Sequence, residues 1–216
     1  MKILVTGGTG FIGSHTCVEL LNSGYDVVIA DNLYNSKALV VDRIETITGK
    51  RPAFYELDIC DREALNALFD KEDIDAAIHF AGYKAVGEST RKPLEYYHNN
   101  ITGTLNLLRS MQKHDIKKLI FSSSATVYGD QGIEQCVETM PTGIKLTNPY
   151  GKTKFMIEEI LKDLETITLD DVKKVYYDLV KNQKDTVDNT YIRKVVVSMK
   201  NDEKIDIILE QTSEEE

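Results

Sequence analysis

The chain has 216 residues, of which 42% are hydrophobic, so it can bury one substantial core with a small extension. A formal net charge of −9 excludes the clustered basic face that binding to a nucleic acid backbone requires. The cysteines form no closely spaced pair and the histidines share no ligand spacing, which excludes a disulfide framework and a metal site. The first apolar run is too short for a signal sequence or a membrane span, so we expect a cytoplasmic protein without a membrane partner.

Strand-like and helix-like segments alternate along the first three quarters of the chain. Buried strands are predicted at residues 2–6, 26–30, 53–57, 76–80 and 118–122. Helices are predicted at residues 11–22, 62–69 and 94–113. Continuous apolar runs in the strands are typical of a parallel sheet that is covered on both faces. We therefore predict an α/β fold with a doubly wound, Rossmann-like parallel sheet and with ligands at the carboxyl ends of its strands.

A glycine-rich turn follows the first strand and opens the first helix. Gly7, Gly10 and Gly13 recur there at every third position. Such glycines let the backbone approach a pyrophosphate, whose charge meets free amides and the helix dipole. A glycine-rich turn alone is equally consistent with a plain loop. The second strand, however, is followed by Asp31, whose carboxylate can accept both ribose hydroxyls of adenosine and repels a 2′-phosphate. The turn and Asp31 together predict a dinucleotide site that prefers NAD to NADP.

Residues after the third and fourth strands extend this predicted site. Asp58 and Ile59 can flank the adenine, and the small-residue turn at 80–82 lies beside the middle of the cofactor. Lys84 is a cation for a phosphate or a ribose hydroxyl, with a solvated surface lysine as the commoner alternative. For Asn99 the alternative is the satisfaction of a buried backbone group.

A serine, a tyrosine and a lysine supply the predicted chemistry. Tyr150 and Lys154 are four residues apart, so on a helix both side chains project from one face. A nearby ammonium and a positive nicotinamide ring both stabilise phenolate, which lowers the tyrosine pKa and prepares a general base. Ser124, just past the fifth strand, can hydrogen-bond the same substrate oxygen. The tyrosine and lysine spacing is a weak signal alone. Joined to the serine and the glycine turn in this order, it predicts hydride transfer to or from nicotinamide.

These motifs resemble the extended short-chain dehydrogenase/reductase family over about residues 1–164. Within it they look like the UDP-glucose (UDP-galactose) 4-epimerases, to which residues 84–97 are particular. The resemblance implies tightly held NAD. The NAD contacts that it and the motifs imply are Gly7, Gly10, Phe11, Ile12, Gly13, Asp31, Asn32, Leu33, Tyr34, Asn35, Ser36, Asp58, Ile59, Phe80, Ala81, Gly82, Tyr83, Lys84, Asn99, Ser122, Ser124, Tyr150 and Lys154.

The resemblance also implies a reaction in galactose metabolism, in which UDP-galactose and UDP-glucose are interconverted. Tyr150 removes the proton of the sugar 4-hydroxyl while hydride passes to NAD, and the hydride returns to the other face of the 4-ketosugar. Lys84, Ser124 and Tyr150 would contact the UDP-sugar. The resemblance further implies a homodimer through the helices of residues 94–113 and 150–164.

Beyond residue 164 the resemblance ends, and residues 165–216 are predicted to form a separate extension. A helix at residues 169–181 and strands at residues 191–200 and 204–210 are expected there, ahead of an acidic end. We expect the substrate domain of the family to be missing and turnover to be low. Three functions stay open: an active sugar-nucleotide epimerase, an NAD-binding module with little or no turnover, and a dehydrogenase of a smaller alcohol.

Overall fold

The computed structural model describes residues 1–132, 136–137 and 139–164, and the backbone of residues 195–196 and 206–207. Its sheet has five parallel strands: β1 (Lys2–Thr6), β2 (Asp26–Asp31), β3 (Ala53–Glu56), β4 (Ala76–His79) and β5 (Leu119–Ser122). They lie in the order β3-β2-β1-β4-β5, which confirms the predicted doubly wound sheet. Two short antiparallel strands, β6 (Val195–Val196) and β7 (Asp206–Ile207), continue the sheet beyond β5.

Both short strands fall inside the two strand-like runs that the sequence predicts for the C-terminal extension. The helix predicted at residues 169–181 lies outside the described residues.

The helices of the described part are α1 (Phe11–Asn22), α2 (Leu39–Thr48), α3 (Arg62–Lys71), α4 (Val86–Arg91), α5 (Pro93–Tyr97), α6 (Gly103–Lys113) and α7 (Pro149–Asp163). A π-helical turn, His98–Thr102, joins α5 to α6, and a 3₁₀ turn, Ala125–Tyr128, follows β5. The prediction of one continuous α-helix at residues 94–113 is therefore wrong, because a π-helical turn divides this segment into α5 and α6. None of the helices described here has the length and apolarity that crossing a membrane demands.

The core lies between the sheet and two layers of helices. Ile3, Leu4 and Val5 of β1 are fully buried, as expected for a central strand covered on both faces. Cys17 and Leu20 of α1 are fully buried too and belong to the same cluster. Helix α1 packs against α2, whereas α3 packs against α6, and right-handed crossovers put these pairs on opposite faces of the sheet. The carboxyl ends of the parallel strands therefore share one edge, where the loops that follow them meet.

Candidate active site

A cavity of about 440 Å³ opens at this edge of the sheet. Small-molecule sites commonly enclose about 300–1,000 Å³. Every residue that the sequence predicts for the site lines the cavity, except Leu33, Ser36 and Asp58. The wall also includes residues that the sequence did not single out, namely Ala30, Leu57, Ser123, Ala125 and Thr126. The five strand-end segments that the motifs mark are thus brought together around one space.

The glycine turn after β1 is shaped so that only glycine fits its tightest points. Gly7 has a left-handed φ of 72°, and a Cβ there would lie 2.7 Å from the backbone nitrogen of Ala81. A Cβ on Gly13 would collide with the carbonyl oxygen of Gly7. Helix α1 starts directly after Gly10, and no side chain caps it. Its first backbone amides therefore remain available to a ligand on the cavity side of the turn. The residues present fit the pyrophosphate of a dinucleotide.

Asp31 is held at the cavity wall by donors from two loops. Its carboxylate is only 8% exposed and accepts hydrogen bonds from the backbone of Thr9 (3.1 Å) and Leu33 (2.9 Å) and from Ser36 Oγ (3.2 Å). Leu33 and Ser36 therefore lie behind the wall and orient Asp31. Since a carboxylate has about four acceptor positions, these three donors leave capacity for a ribose hydroxyl.

Asp58 also lies behind the wall, where it supports a neighbouring residue. Asn32 donates its side-chain N–H to Asp58 Oδ2 at 3.1 Å, and the backbone of Cys60 donates to Asp58 Oδ1 at 2.8 Å. Ile59 lines the cavity beside them. The loops after β2 and β3 are thereby joined at the adenosine end that the sequence predicts.

The loop after β4 is fixed by a residue in the π turn. Asn100 accepts a hydrogen bond from the backbone N–H of Tyr83 (2.8 Å) and donates to its carbonyl (3.0 Å). Its amide also donates to Thr153 Oγ1 of α7 at 3.0 Å. Asn99 lines the cavity, whereas Asn100 ties the wall to α7. Lys84, at the end of this loop, lines the cavity with an exposed side chain.

Two tyrosines join the loops after β2 and β4. The ring centroids of Tyr34 and Tyr83 are 4.8 Å apart, and those of Tyr83 and Tyr96 are 5.4 Å apart. Tyr96 is buried, and its hydroxyl donates to Glu88 Oε2 at 3.0 Å. The buried ring of Tyr96 anchors the other two rings along the cavity wall.

Helix α7 carries the predicted base and its cation. Asn148 caps the helix by accepting a hydrogen bond from the backbone of Gly151 at 2.8 Å, and Pro149 occupies its first turn. Tyr150 and Lys154 follow on one face, and both line the cavity with Ser124. Ser124 lies close enough to the Tyr150 phenol for its hydroxyl to act on the pKa of that phenol. The predicted trio is therefore assembled on the side of the cavity formed by β5 and α7.

The Lys154 ammonium is buried against the end of β5. Its Nζ donates to the carbonyl oxygen of Ser122 at 2.7 Å and lies 4.6 Å from the centroid of the Phe121 ring. Burial lowers the pKa of Lys154 to about 8, and the carboxylate of Glu158 acts in the opposite direction.

Burial raises the pKa of Tyr150 above its ordinary value, although its hydrogen bond with Ser124 acts to lower it. This direction is opposite to the one predicted from the sequence. The prediction counted the charges of an ammonium and a nicotinamide ring and left out the desolvation of a phenol that is 8% exposed. The ammonium of Lys154 is also directed to the Ser122 carbonyl.

One buried contact of the site was not predicted. Ser123 Oγ donates a short hydrogen bond to the carboxylate of Glu158 on α7. The only sequence signal for it is that Glu158 follows Lys154 at the same four-residue interval that separates Lys154 from Tyr150. In the part of the chain that the structure describes, no group of histidine, cysteine or carboxylate side chains is arranged to hold a metal ion.

Comparison with known proteins places this cavity in context. The model of the NAD dependent epimerase/dehydratase family matches residues 3–168. A UDP-glucose 4-epimerase of Bacillus subtilis is 58% identical over 166 residues, which is 77% of this chain and 48% of that protein. The chain thus spans about half the length of the curated relatives that it matches.

Solved structures give the same picture. UDP-glucose 4-epimerase from Bifidobacterium longum, in complex with NAD⁺ and UDP, matches with a TM-score of 0.74 at 52% identity, covering 76% of this chain and 49% of that one. The enzyme from Stenotrophomonas maltophila, with bound NAD and formylated UDP-arabinopyranose, matches with a TM-score of 0.72 at 50% identity, covering 76% and 48%.

Proposed function

The chain belongs to the NAD dependent epimerase/dehydratase family, and on that premise we propose that it binds NAD in the cavity and acts as a UDP-sugar 4-epimerase on UDP-galactose and UDP-glucose. One observation carries the proposal: Tyr150, Lys154 and Ser124 line the same cavity as the glycine turn and Asp31. A general base beside a hydride acceptor is what the oxidation of an alcohol requires.

In this proposal the pyrophosphate of NAD binds at the glycine turn and the first amides of α1. The adenosine ribose hydrogen-bonds to Asp31, and Ile59 flanks the adenine. Because a carboxylate at Asp31 repels a 2′-phosphate, the cofactor is NAD rather than NADP. Tyr150 and Lys154 then lie at the nicotinamide end.

NAD, when bound, supplies the acceptor for a hydride and returns it. Because burial raises the pKa of Tyr150, the positive nicotinamide ring and the Lys154 ammonium would have to stabilise its phenolate. As phenolate, Tyr150 would take the proton of the sugar 4-hydroxyl while the C4–H bond breaks and its electron pair leaves with the hydride, so that the C4–O bond becomes a carbonyl. Ser124 donates a hydrogen bond to that oxygen, and the Lys154 ammonium stabilises the phenolate. After rotation of the 4-ketosugar, Tyr150 would give its proton back to the C4 oxygen as hydride is returned to the other face of that carbon. Carbon 4 is inverted with no net consumption of an oxidant.

The wider organisation belongs to the same proposal. Residues 1–164 form an NAD-binding domain, and residues 165–216 are an extension of it, of which residues 195–196 and 206–207 continue the sheet. A homodimer is supported by Leu94 on α5 and Met156 on α7, which are 79% and 43% exposed on helices that pack on each other. All three cysteines of the chain are free, which supports a reducing, cytoplasmic compartment.

A second candidate is an NAD-binding module with little or no turnover. It is favoured by the burial of Tyr150, which raises the pKa of the phenol, because a protonated phenol cannot act as a general base. Both candidates use the cavity in the same way and differ only in whether a sugar nucleotide reacts there.

A conversion assay separates the candidates. Purified protein with NAD is incubated with UDP-galactose, and UDP-glucose is measured together with the absorbance of reduced cofactor. Formation of UDP-glucose supports the epimerase, and NAD binding without conversion supports the module. Reduction of the cofactor by a small alcohol in place of the sugar nucleotide points to a dehydrogenase. A protein that binds no NAD contradicts all of these functions.

A further inference from the structure

Helix α7 presents three residues to the three serines that end β5. Tyr150, Lys154 and Glu158 recur every four residues, so they form one line along the helix, which we call the α7 stripe. Each residue of the stripe lies beside a different residue of the serine segment, Ser122 to Ser124. Lys154 donates to the carbonyl of Ser122, and Glu158 accepts from the hydroxyl of Ser123. Tyr150 lines the cavity with Ser124, whose hydroxyl acts on the pKa of the phenol.

Glu158 is the buried end of this stripe. Glu158 is only 3% exposed, and its hydrogen-bond partner Ser123 is 8% exposed. A buried carboxylate is costly unless it is hydrogen-bonded or paired with a charge. Glu158 has the Ser123 hydroxyl as a partner, and its charge acts on the Lys154 ammonium one turn away. Neither contact is needed by the reaction as described above, so the carboxylate calls for its own explanation.

We propose that Glu158 is a positioning residue for the Tyr150–Lys154 pair. By holding Ser123 it fixes the serine segment against α7, and by its charge it keeps the buried Lys154 side chain an ammonium. This inference deepens the proposed function and rests on it, because the positions of Tyr150 and Lys154 matter for catalysis only if the cavity carries out the proposed reaction.

The electrostatic part of this role follows from the groups around Lys154. Burial lowers the pKa of Lys154 to about 8, and the Glu158 carboxylate opposes that fall. Among the residues that the structure describes, the other titratable groups around the ammonium are Tyr150 on the same helix and His79 at the end of β4. Burial lowers the pKa of His79 to about 3, so this imidazole is neutral and supplies no counter-charge near neutral pH. Within the described part of the chain, Glu158 is therefore the anion that acts on Lys154, and its removal should lower the lysine pKa further.

The first test measures the titration of Lys154 directly, by NMR of protein with isotope-labelled lysine side chains. The Lys154 signal is assigned by its loss in Lys154→Met. Glu158→Gln keeps the size and the hydrogen-bond acceptor but removes the charge, and we expect the Lys154 midpoint to fall by roughly one pH unit or more. Glu159→Gln is the matched control, since Glu159 is the next residue on α7, pairs with Lys162 and has a side chain that is 49% exposed. A midpoint that stays at the parent value in Glu158→Gln overturns the electrostatic role.

The second test removes the same hydrogen bond by mutating the serine in place of the glutamate. Ser123→Ala removes the hydroxyl that Glu158 accepts from, so hydrogen exchange of the backbone amides at residues 122–126 should become faster. Ser110→Ala is the control, because it removes a fully buried hydroxyl that donates to Asn66, at 2.7 Å, elsewhere in the fold. Exchange at residues 122–126 that is unchanged by Ser123→Ala overturns the positioning role, and this holds even if Glu158→Gln does not fold.

Neither test needs cofactor or sugar, so the positioning role and the proposed function are judged separately. Absence of NAD binding by the parent protein contradicts the proposed function while both tests remain interpretable. If the parent reduces bound NAD with UDP-galactose, Glu158→Gln should also move the pH profile of that reduction, whereas Glu159→Gln should not. A uniform loss of rate in Glu158→Gln with an unmoved pH profile would indicate a structural role only.

Discussion

Asp31 is the residue whose loss tests cofactor recognition most sharply. Its carboxylate is buried at the cavity wall with acceptor capacity left over, so Asp31→Ala should weaken NAD binding by about 1–3 kcal/mol, as expected for the loss of a charge-assisted hydrogen bond. Calorimetry measures the change. Asp26→Ala is the control, because Asp26 is exposed at the opposite end of the same strand. Equal NAD affinity in the two variants would mean that Asp31 does not contact the ribose.

Tyr150 separates binding from chemistry. Tyr150→Phe keeps the ring in its buried place but cannot take the 4-hydroxyl proton. Hydride loss from carbon 4 would then leave a high-energy oxocarbenium ion instead of a ketone. We expect NAD affinity to stay within about twofold of the parent value, while any reduction of bound NAD by a UDP-sugar is lost. Absorbance of the reduced cofactor is the measurement, and sugar-dependent reduction that persists in the variant would remove Tyr150 from the role of base.

At the scale of elements, His79 joins strand β4 to strand β1 and to helix α6. Its Nδ1 is 2.6 Å from Thr6 Oγ1 of β1, and its Nε2 is 2.8 Å from Thr104 Oγ1 of α6. Burial lowers the pKa of His79 from 6.5 to about 3. Between pH 6.5 and about pH 3, His79 is protonated in the unfolded chain but neutral in the folded protein. The free energy of unfolding therefore falls as the pH falls through this range.

The pH dependence of unfolding by urea tests this. His79 should cost the parent about 2 kcal/mol of stability between roughly pH 7 and pH 5. His79→Gln is less stable at neutral pH but lacks this titration, so its loss over the same range should be smaller by that amount. Parallel pH profiles in the two proteins would mean that the His79 imidazole is protonated inside the fold.

The five parallel strands were predictable because each is a continuous apolar run, and their observed ends differ from the predicted ones by at most one residue. The break between α5 and α6 was not predictable, because the helical pattern of the sequence runs through residues 94–113 without interruption. The π turn there serves a tertiary purpose, because it presents Asn100 to Tyr83. Helix α4 was missed because Gly87, Ser89 and Thr90 are poor helix formers.

The candidate site likewise has features that the sequence predicts and features that it does not. The glycine turn, Asp31 and the pair of Tyr150 and Lys154 are local patterns, so the sequence predicts where they lie in the fold. The contact of Ser123 with Glu158 joins residues 35 positions apart, and no local pattern specifies it. The raised pKa of Tyr150 depends on burial, which the spacing of residues does not report.

At the scale of the whole molecule, the proposed homodimer makes a prediction about a single exposed side chain. Leu94 is 79% exposed on α5, and a two-fold contact would bury it twice. The parent should scatter light as a dimer at micromolar concentration, and Leu94→Glu should shift it to monomer. Ile47→Glu is the control, since Ile47 is 67% exposed on α2, outside the proposed interface. A parent protein that is monomeric under these conditions contradicts the proposed assembly.

The most direct measurement is a calorimetric titration of NAD, and separately of NADP, into the purified 216-residue protein. If the cavity at the carboxyl edge of the sheet is a dinucleotide site with Asp31 at the ribose, NAD should bind saturably at one site per chain and NADP at least about tenfold more weakly, a difference of about 1.4 kcal/mol. NAD that copurifies with the protein must first be removed and counted. A protein that neither copurifies with NAD nor binds it on titration would contradict the assignment of this cavity.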